Sequence, residues 1–315
     1  MTSASELKAG SKLERTLAAG NFAVTAELGP PKSADPQVIA TKAQILAGYT
    51  DAVNITDNQT AVVRICSLVA AHLAMDHGCE PVMQMTCRDR NRLAMQADIL
   101  GASALGIKNV LCLTGDHQSF GNHPQAKGVF DLDAINLIRM YKGLRDDKKF
   151  QCGDEIVGEP RLYIGCAENP FADPFELRAL RLKKKVEAGA DFVQTQCIFN
   201  LPKFKLWMQE VRSLGLHQEI KIIAGITPIK GAGMANYMKN FVPGMDVPQE
   251  IIDRIAAHEK GAPQQEAGKK LAVEMIKEIS AIEGVAGVHI MAVEWEAAVP
   301  EIVEAAGLTP RPAVS

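Results

Sequence analysis

Eight apolar runs of this 315-residue chain end in polar side chains, and those ends are where its chemistry can gather. In order they give Glu27, Thr56, Gln84 with Thr86, Asp116, Glu168 with Asn169, Gln196, Thr227 and Glu294. Carboxylates, amides and hydroxyls make up the set. It holds no cluster of His, Cys and Asp suited to a transition metal, so no metal site is expected. It also lacks a G-x-S-x-G nucleophile turn and a strand lysine for Schiff-base formation. Such a set suits the binding of a polar heterocycle and the movement of a proton, with harder chemistry lent by a cofactor.

Glu27 is the sharpest residue, because it interrupts the apolar run Ala23-Val-Thr-Ala-Glu-Leu28. A carboxyl half-buried there would have a raised pKa and could hold a proton near neutrality. A structural glutamate paired with a Lys or Arg is the alternative, and the residues alone leave both open. Asp116 closes Val110-Leu-Cys-Leu-Thr-Gly-Asp116. It is poorly placed to cap a helix, since the next helix is expected to begin near Asp131–Asp133. The loop between, His117 to Gly128, is long enough for a lid or a cofactor clamp. Its two histidines have no acidic residue between them and do not make a metal site. Gln196 shares a strand face with Gln194, and a buried amide must find partners, either a ligand or another side chain. Lys183 to Lys185 read first as a solvated helix face, and Met83, Met85, Met234 and Met238 as packing residues.

The elements that must position these residues are eight strands, expected at Phe22–Leu28, Asp51–Thr56, Pro81–Cys87, Asn109–Thr114, Leu162–Ala167, Phe192–Ile198, Ile220–Ile226 and Gly287–Val293. Most are rich in Val, Ile and Leu rather than alternating, as parallel strands covered on both faces should be. Amphipathic segments separate them. The fold class is therefore α/β, a single (β/α)8 TIM-type barrel with its chemistry on the face at the carboxyl ends of the strands. Residues 1–20 are expected to form an extra element, with a helix over 3–18 plugging the barrel floor, and 21–315 the catalytic barrel. Residues 145–160 read as a surface excursion and 241–268 as an added short helix between two turns. An open dinucleotide-binding sheet is disfavoured because the first strand ends in Leu28-Gly-Pro-Pro31, where proline offers no N–H to a phosphate.

Composition narrows the classes further. The chain is 47% hydrophobic and 23% charged with a formal net charge of -3, which gives no reason to expect nucleic-acid or membrane binding. Seven cysteines are scattered without a CxxC pair, as suits reduced thiols in a cytoplasmic protein. No uncharged apolar run approaches the roughly 20 residues that span a bilayer.

Five motifs in register resemble the methylenetetrahydrofolate reductase family over about Phe22 to Val299. Thr25-Ala-Glu-Leu-Gly-Pro-Pro-Lys32 is similar to its first-strand motif and Leu113-Thr-Gly-Asp116 to its Leu-Arg-Gly-Asp signature. Lys184-Lys-Val-Glu-Ala-Gly-Ala190, Thr195-Gln-Cys-Ile-Phe199 and Ile223-Ala-Gly-Ile-Thr-Pro228 resemble three further segments. The resemblance implies a flavin at the barrel mouth, FAD ahead of FMN, reduced by NADH or NADPH or by an electron-donating partner subunit. It implies a folate substrate, and a homo-oligomer is expected. Glu27 matches the family's acid, and Asp116 the carboxylate that holds the pterin edge and tunes the flavin. Gln196 matches a residue that contacts folate and nicotinamide, and Thr227 joins it as a substrate-side residue. Thr56 and Gly115 match positions beside the flavin ring, and Lys185 one near its phosphates. Gln84, Thr114 and Asn169 complete the cofactor-side set, but each departs from the family's usual residue: His, Arg and His, respectively. Leu28-Gly29 stand for a Phe pair, and Met234 and Met238 for Gln and Phe. Two other functions remain: a folate reductase taking hydride directly from NAD(P)H, and a non-catalytic folate-binding subunit, against which the retention of Glu27 argues.

Overall fold

The computed structural model of the chain describes residues 7–314. Eight parallel strands close into a barrel in sequence order. They are β1 (Ala23–Leu28), β2 (Ala52–Ile55), β3 (Pro81–Thr86), β4 (Asn109–Leu113), β5 (Tyr163–Glu168), β6 (Phe192–Cys197), β7 (Lys221–Ile226) and β8 (Val285–Ile290). The helices are α1 (Lys12–Ala18), α2 (Gln37–Leu46), α3 (Ser67–Met75), α4 (Arg92–Ala104), α5 (Ala134–Lys142), α6 (Arg178–Ala188), α7 (Leu201–Ser213), α8 (Leu216–Glu219), α9 (Ala232–Phe241), α10 (Gln249–Ala256), α11 (Ala262–Ser280) and α12 (Ala298–Ala305). None is long and apolar enough to cross a membrane.

The main core lies between barrel and helices, where the outward strand residues (Val24, Ala26, Leu28, Val53, Ile55, Met83, Met85) meet the apolar faces of the helices. A second cluster fills the lower barrel interior: Ala23, Val82, Leu111, Tyr163, Phe192 and Ile223, closed from below by Ala9, Leu13 and Leu17. Burial of each of the two leucines contributes about 1.5–3 kcal/mol.

The floor helix is shorter than the expected 3–18. It begins at Lys12, with Ser11 accepting the Glu14 N–H as its cap. The Glu14 carboxylate turns back to accept the backbone N–H groups of Lys8, Ala9 and Gly10 at 2.7, 2.9 and 2.7 Å, which holds that segment out of helical geometry. Residues 3–6 of that expectation lie outside the described residues. Strand β8 also ends sooner than its apolar run, because Ala292 and Val293 continue into a loop whose Glu294 adopts φ 50°. A one-turn π-helix (Gly143–Asp147) runs into the 145–160 excursion, which holds a bridge from Lys149 to Glu155. The short helix expected within 241–268 is α10, and α11 starts inside the same segment.

Strand parity decides what faces the barrel axis. Above the lower cluster stand Thr25, Asn54, Gln84, Gln194 and His289, and above them Glu27, Thr56, Thr86, Gln196, Thr227 and Met291. The interior therefore turns from apolar to polar as it rises to the carboxyl ends.

Candidate active site

A cavity of about 430 Å3 occupies the barrel mouth and is lined by Glu27, Gln84, Thr114, Asn169, Lys185, Gln196 and His289 among others. Eight of the residues singled out in the sequence thus meet at one place: Glu27, Gln84, Thr114, Glu168, Asn169, Lys185, Gln194 and Gln196. Thr56 and Thr227 are buried at the same height in β2 and β7 loops, and Asp116 lies exposed on the rim, outside the cavity lining.

Glu27 is 8% exposed, and burial holds its carboxyl above the ordinary carboxylate range. The neighbouring Glu296 charge pushes in the same direction, while a hydrogen bond from Gln59 and the charges of Lys42 and Arg64 oppose it. Among the described residues no Lys or Arg forms an ion pair with Glu27; its one side-chain partner is Gln59, whose Nε2 donates to Oε1 at 3.2 Å. Gln59 reaches it from a tight turn in which Asn58, Thr60 and Ala61 all take left-handed φ of 45°, 56° and 56°. Non-glycine residues held there cost of order 1–3 kcal/mol each and gather at functional loops.

The turn is held by Arg88, whose guanidinium donates to the carbonyls of Asn58 at 3.2 Å and Asp116 at 3.1 Å and pairs with Asp89. Beneath it the buried Asp57 accepts from the Thr86 N–H and hydroxyl and from Arg90. The loops after β2, β3 and β4 are thus one hydrogen-bonded unit. Gly115 sits within it at φ 91°, and a Cβ there would come 3.1 Å from the Cβ atoms of Thr86 and Arg88. Glycine lets this backbone pass close beside the mouth.

Gln196 owes its aim to a register shift between β6 and β7. Its Oε1 accepts the Cys197 N–H at 3.0 Å, leaving the Nε2 donors for a ligand. The shift depends on Gly225, where a Cβ would lie 2.4 Å from the Thr195 carbonyl. Thr227 pairs with the Cys197 thiol at 2.7 Å, and burial pushes that thiol up to about 12.

Lower in the mouth, Gln194 Nε2 donates to Asn54 Oδ1 at 3.0 Å and Asn54 returns the bond, a reciprocal amide pair spanning the barrel. His289 stands beside it with Nδ1 2.9 Å from the Thr25 hydroxyl, and burial drives its pKa down to about 3, so the ring is neutral. The sequence reading passed over Asn54, Thr25, His289 and Gln59. Period-two parity with Thr56 and Glu27 points to Asn54 and Thr25; His289 has the opposite parity to Glu294, the residue the sequence puts at that strand's end, and Gln59 lies in a loop, so neither carries such a signal.

Lys185 is placed differently from a free phosphate ligand. Its Nζ donates to Glu168 Oε2 at 2.6 Å and to the Ala167 carbonyl, a buried ion pair that spends its charge inside the wall. Arg178 and Arg181 line the cavity from the same helix face, at the i, i+3, i+7 spacing ending on Lys185. Asn169 is also engaged, donating to the Gly244 carbonyl at 3.0 Å and accepting the Phe171 N–H at 2.9 Å. Thr114 accepts the Ala134 N–H at 3.3 Å. The residues nonetheless fit a bound ring with polar edges such as a flavin's, because the buried Thr56 hydroxyl has no partner among the described residues. Two arginines rather than the lysine can meet phosphates.

Known proteins resemble the chain in sequence and in fold. The family described as methylenetetrahydrofolate reductase matches residues 12–307. Methylenetetrahydrofolate reductase 2 of Schizosaccharomyces pombe is 30% identical over 265 residues, covering 80% of this chain and 39% of its own length. A probable NADPH-type methylenetetrahydrofolate reductase of Caenorhabditis elegans is 26% identical, covering 77% of this chain and 34% of its own. The 5,10-methylenetetrahydrofolate reductase of Salmonella typhimurium is 25% identical, with coverages of 67% and 65%. The chain spans little more than a third of the length of the two eukaryotic relatives. In fold it resembles a Clostridium thermocellum protein described as binding two copies of 5-methyl-5,6,7,8-tetrahydrofolic acid, with a TM-score of 0.62, 14% identity and coverage of 95% of this chain and 100% of that one.

Proposed function

Since the chain belongs to the methylenetetrahydrofolate reductase family, we propose that it reduces 5,10-methylenetetrahydrofolate to 5-methyltetrahydrofolate. The observation that carries this reading is Glu27, a buried carboxyl without an ion-pair partner among the described residues, facing a cavity lined by amides. The methylene carbon accepts hydride only after the five-membered ring opens to an iminium. Opening requires a proton on the departing arylamine nitrogen, and a carboxyl that burial holds above the ordinary carboxylate range can give it. Gln196 offers amide donors to the pterin, and Asp116, held at the rim through Arg88, offers a carboxylate to its amino-pyrimidinone edge. The amide pair and the neutral His289 give the cavity a polar floor without charge, which leaves Glu27 the more easily protonated.

A flavin, when bound, supplies the hydride; Thr56, Gly115 and Asp116 would hold its ring, with Gln84 and Thr114 at its margin, Asn169 toward its tail, and Arg178 and Arg181 ahead of Lys185 at its phosphates. FAD is preferred to FMN, with NADH, NADPH or a partner subunit as the electron source. A second reading, direct hydride transfer from a nicotinamide, is favoured by the one observation that Lys185 is already neutralised by Glu168. The purified protein separates the two, because a flavoprotein absorbs near ~450 nm and the second reading requires turnover without such a band. Replacing Glu27 with Gln is expected to abolish folate reduction while leaving reduction of bound flavin intact. Folate turnover largely unaltered in that variant would end the acid assignment.

A further inference from the structure

Glu27 stands in the wall between two cavities. One is the mouth cavity; the other, of about 500 Å3, is lined by Gly29, Val38, Lys42, Gln59, Arg64 and Glu296 among others, between the segment after β1, the start of α2 and the segment after β8. Gln59 lines the second cavity and is also the hydrogen-bond partner of Glu27. Two of its three cations are engaged: Lys42 pairs with Glu296 at 2.6 Å and donates to the Gly29 carbonyl at 3.1 Å, and Arg64 donates to the Pro30 carbonyl at 3.1 Å, while Lys32 stands exposed at the edge. Glu294 and Glu296 stand on the same wall, so charges of both signs line the cavity. Its volume far exceeds the ~30 Å3 that one water occupies in the liquid, and its lining is polar enough to be wet.

This arrangement meets a need of the cycle. When Glu27 protonates the substrate nitrogen, the C–N bond breaks, its electron pair goes to nitrogen and a carboxylate is left. That carboxylate must regain a proton before the next turnover, while substrate or product fills the mouth. We propose that the second cavity is the proton inlet of the active site, a wet vestibule from which a hydronium ion or a small buffer acid reprotonates Glu27 behind the bound folate. The inference rests on the reading of Glu27 as the acid. The charged groups that face it are Glu296, Lys42 and Arg64 on the vestibule side. On the barrel side stand the Cys197 thiol and the neutral His289, neither of which carries charge at neutral pH.

Val38 touches the vestibule alone and is half-buried, so Val38→Phe fills the cavity without altering the mouth, and Val38→Leu is a milder filling should the larger variant not fold. In steady-state folate turnover either variant is expected to lower kcat several-fold in dilute buffer, leave KM for the folate unchanged and enlarge the solvent isotope effect. Raising the concentration of acetate or imidazole buffer at constant pH and ionic strength is expected to restore kcat. A kcat equal to that of the unsubstituted chain at every buffer concentration, or one reduced equally at all of them, would overturn the inlet. Glu27→Gln is run beside them: retained turnover there removes the acid reading itself, whatever Val38 shows.

Discussion

The floor of the barrel pairs its buried carboxylates, and the mouth pairs Asp57 and Glu168 in the same way but leaves Glu27 with a single amide partner. At the floor every buried acid is saturated. Asp51 accepts the Val24 N–H and pairs with Arg311. Asp191 accepts the Ile164 N–H and pairs with Arg145 at 2.6 Å and with Lys8. Glu14 accepts the Lys8, Ala9 and Gly10 N–H groups, and even the half-buried Glu80 accepts those of Lys12 and Leu13 and an Asn109 amide. At the mouth Glu27 has one amide partner and a raised pKa, the Thr56 hydroxyl has none, and His289 is stripped of its charge. Charges that are desolvated and paired hold a structure in one register, whereas groups desolvated and left wanting cost stability and stay available to a ligand. The same fold thus sets one unpaired acid at its mouth among carboxylates that are paired as firmly as those of the floor.

That contrast breaks most visibly at Glu27 and Asp191. Glu27→Gln is expected to cost about 10²–10⁴ in folate turnover, the range of general acid catalysis, with no loss of thermal stability because the amide removes a poorly solvated acid. A large fall in Tm would show Glu27 to be structural after all. Asp191→Asn leaves the Arg145 guanidinium with Asp146 as its remaining carboxylate partner and takes the partner of Lys8 away, and is expected to cost about 1–3 kcal/mol in denaturant unfolding while the folded fraction keeps its turnover. Unchanged stability would mean that the floor pairs are decorative.

Much of this was legible in the sequence, for a physical reason. Parallel strands covered on both faces must be apolar along their whole length, so the eight runs and their order stand out, and a carboxylate such as Glu27 inside one is conspicuous. Boundaries were less legible where apolar sequence outlasts the sheet, as at Ala292 and Val293, or where one side chain overrides local helix preference, as Glu14 does at the floor. Long-range polar pairing was not legible. Nothing local tells Gln194 that Asn54, 140 positions away, will satisfy it, or Lys185 that Glu168 will take its charge. The lysine read as a phosphate contact is accordingly a wall residue, and the arginines one and two turns before it on α6 face the cavity.

The neutral histidine gives a smaller and pH-dependent test of the mouth. Its folded pKa, about 3, lies below the ordinary 6.5 of the unfolded chain, so below pH 6.5 the unfolded state binds a proton that the folded state refuses. Stability therefore falls as the pH drops from 6.5 toward 3, by up to ~1.4 kcal/mol for each pH unit from this group alone. Glu27 has the opposite sign: its folded pKa is raised, so it costs stability as pH rises above the unfolded value of 4.5. His289→Gln should flatten the acid limb relative to the parent, and Glu27→Gln should steepen the rise between pH 4.5 and 6.5. Stability curves measured by denaturant at pH 4.5, 5.5 and 6.5 distinguish these signs, and parallel curves for all three proteins would remove burial as the cause.

The finest test compares two threonines. Thr16 at the floor and Thr56 at the mouth are both buried, and each hydroxyl lacks a protein partner. If unsatisfied hydroxyls were simple defects of packing, Val at either position would act alike, leaving stability unchanged or raising it by about 1 kcal/mol with no effect on ligands. The position of Thr56 predicts a division instead. Thr16→Val should be silent toward every ligand, whereas Thr56→Val should weaken the bound flavin by about 0.5–1.5 kcal/mol, the worth of one hydrogen bond, or up to roughly tenfold in Kd. Titration of both variants with FAD and with FMN reads the difference directly. Equal affinities would assign the Thr56 hydroxyl to the same class as that of Thr16, and the upper barrel would lose one of the groups that set it apart from the floor.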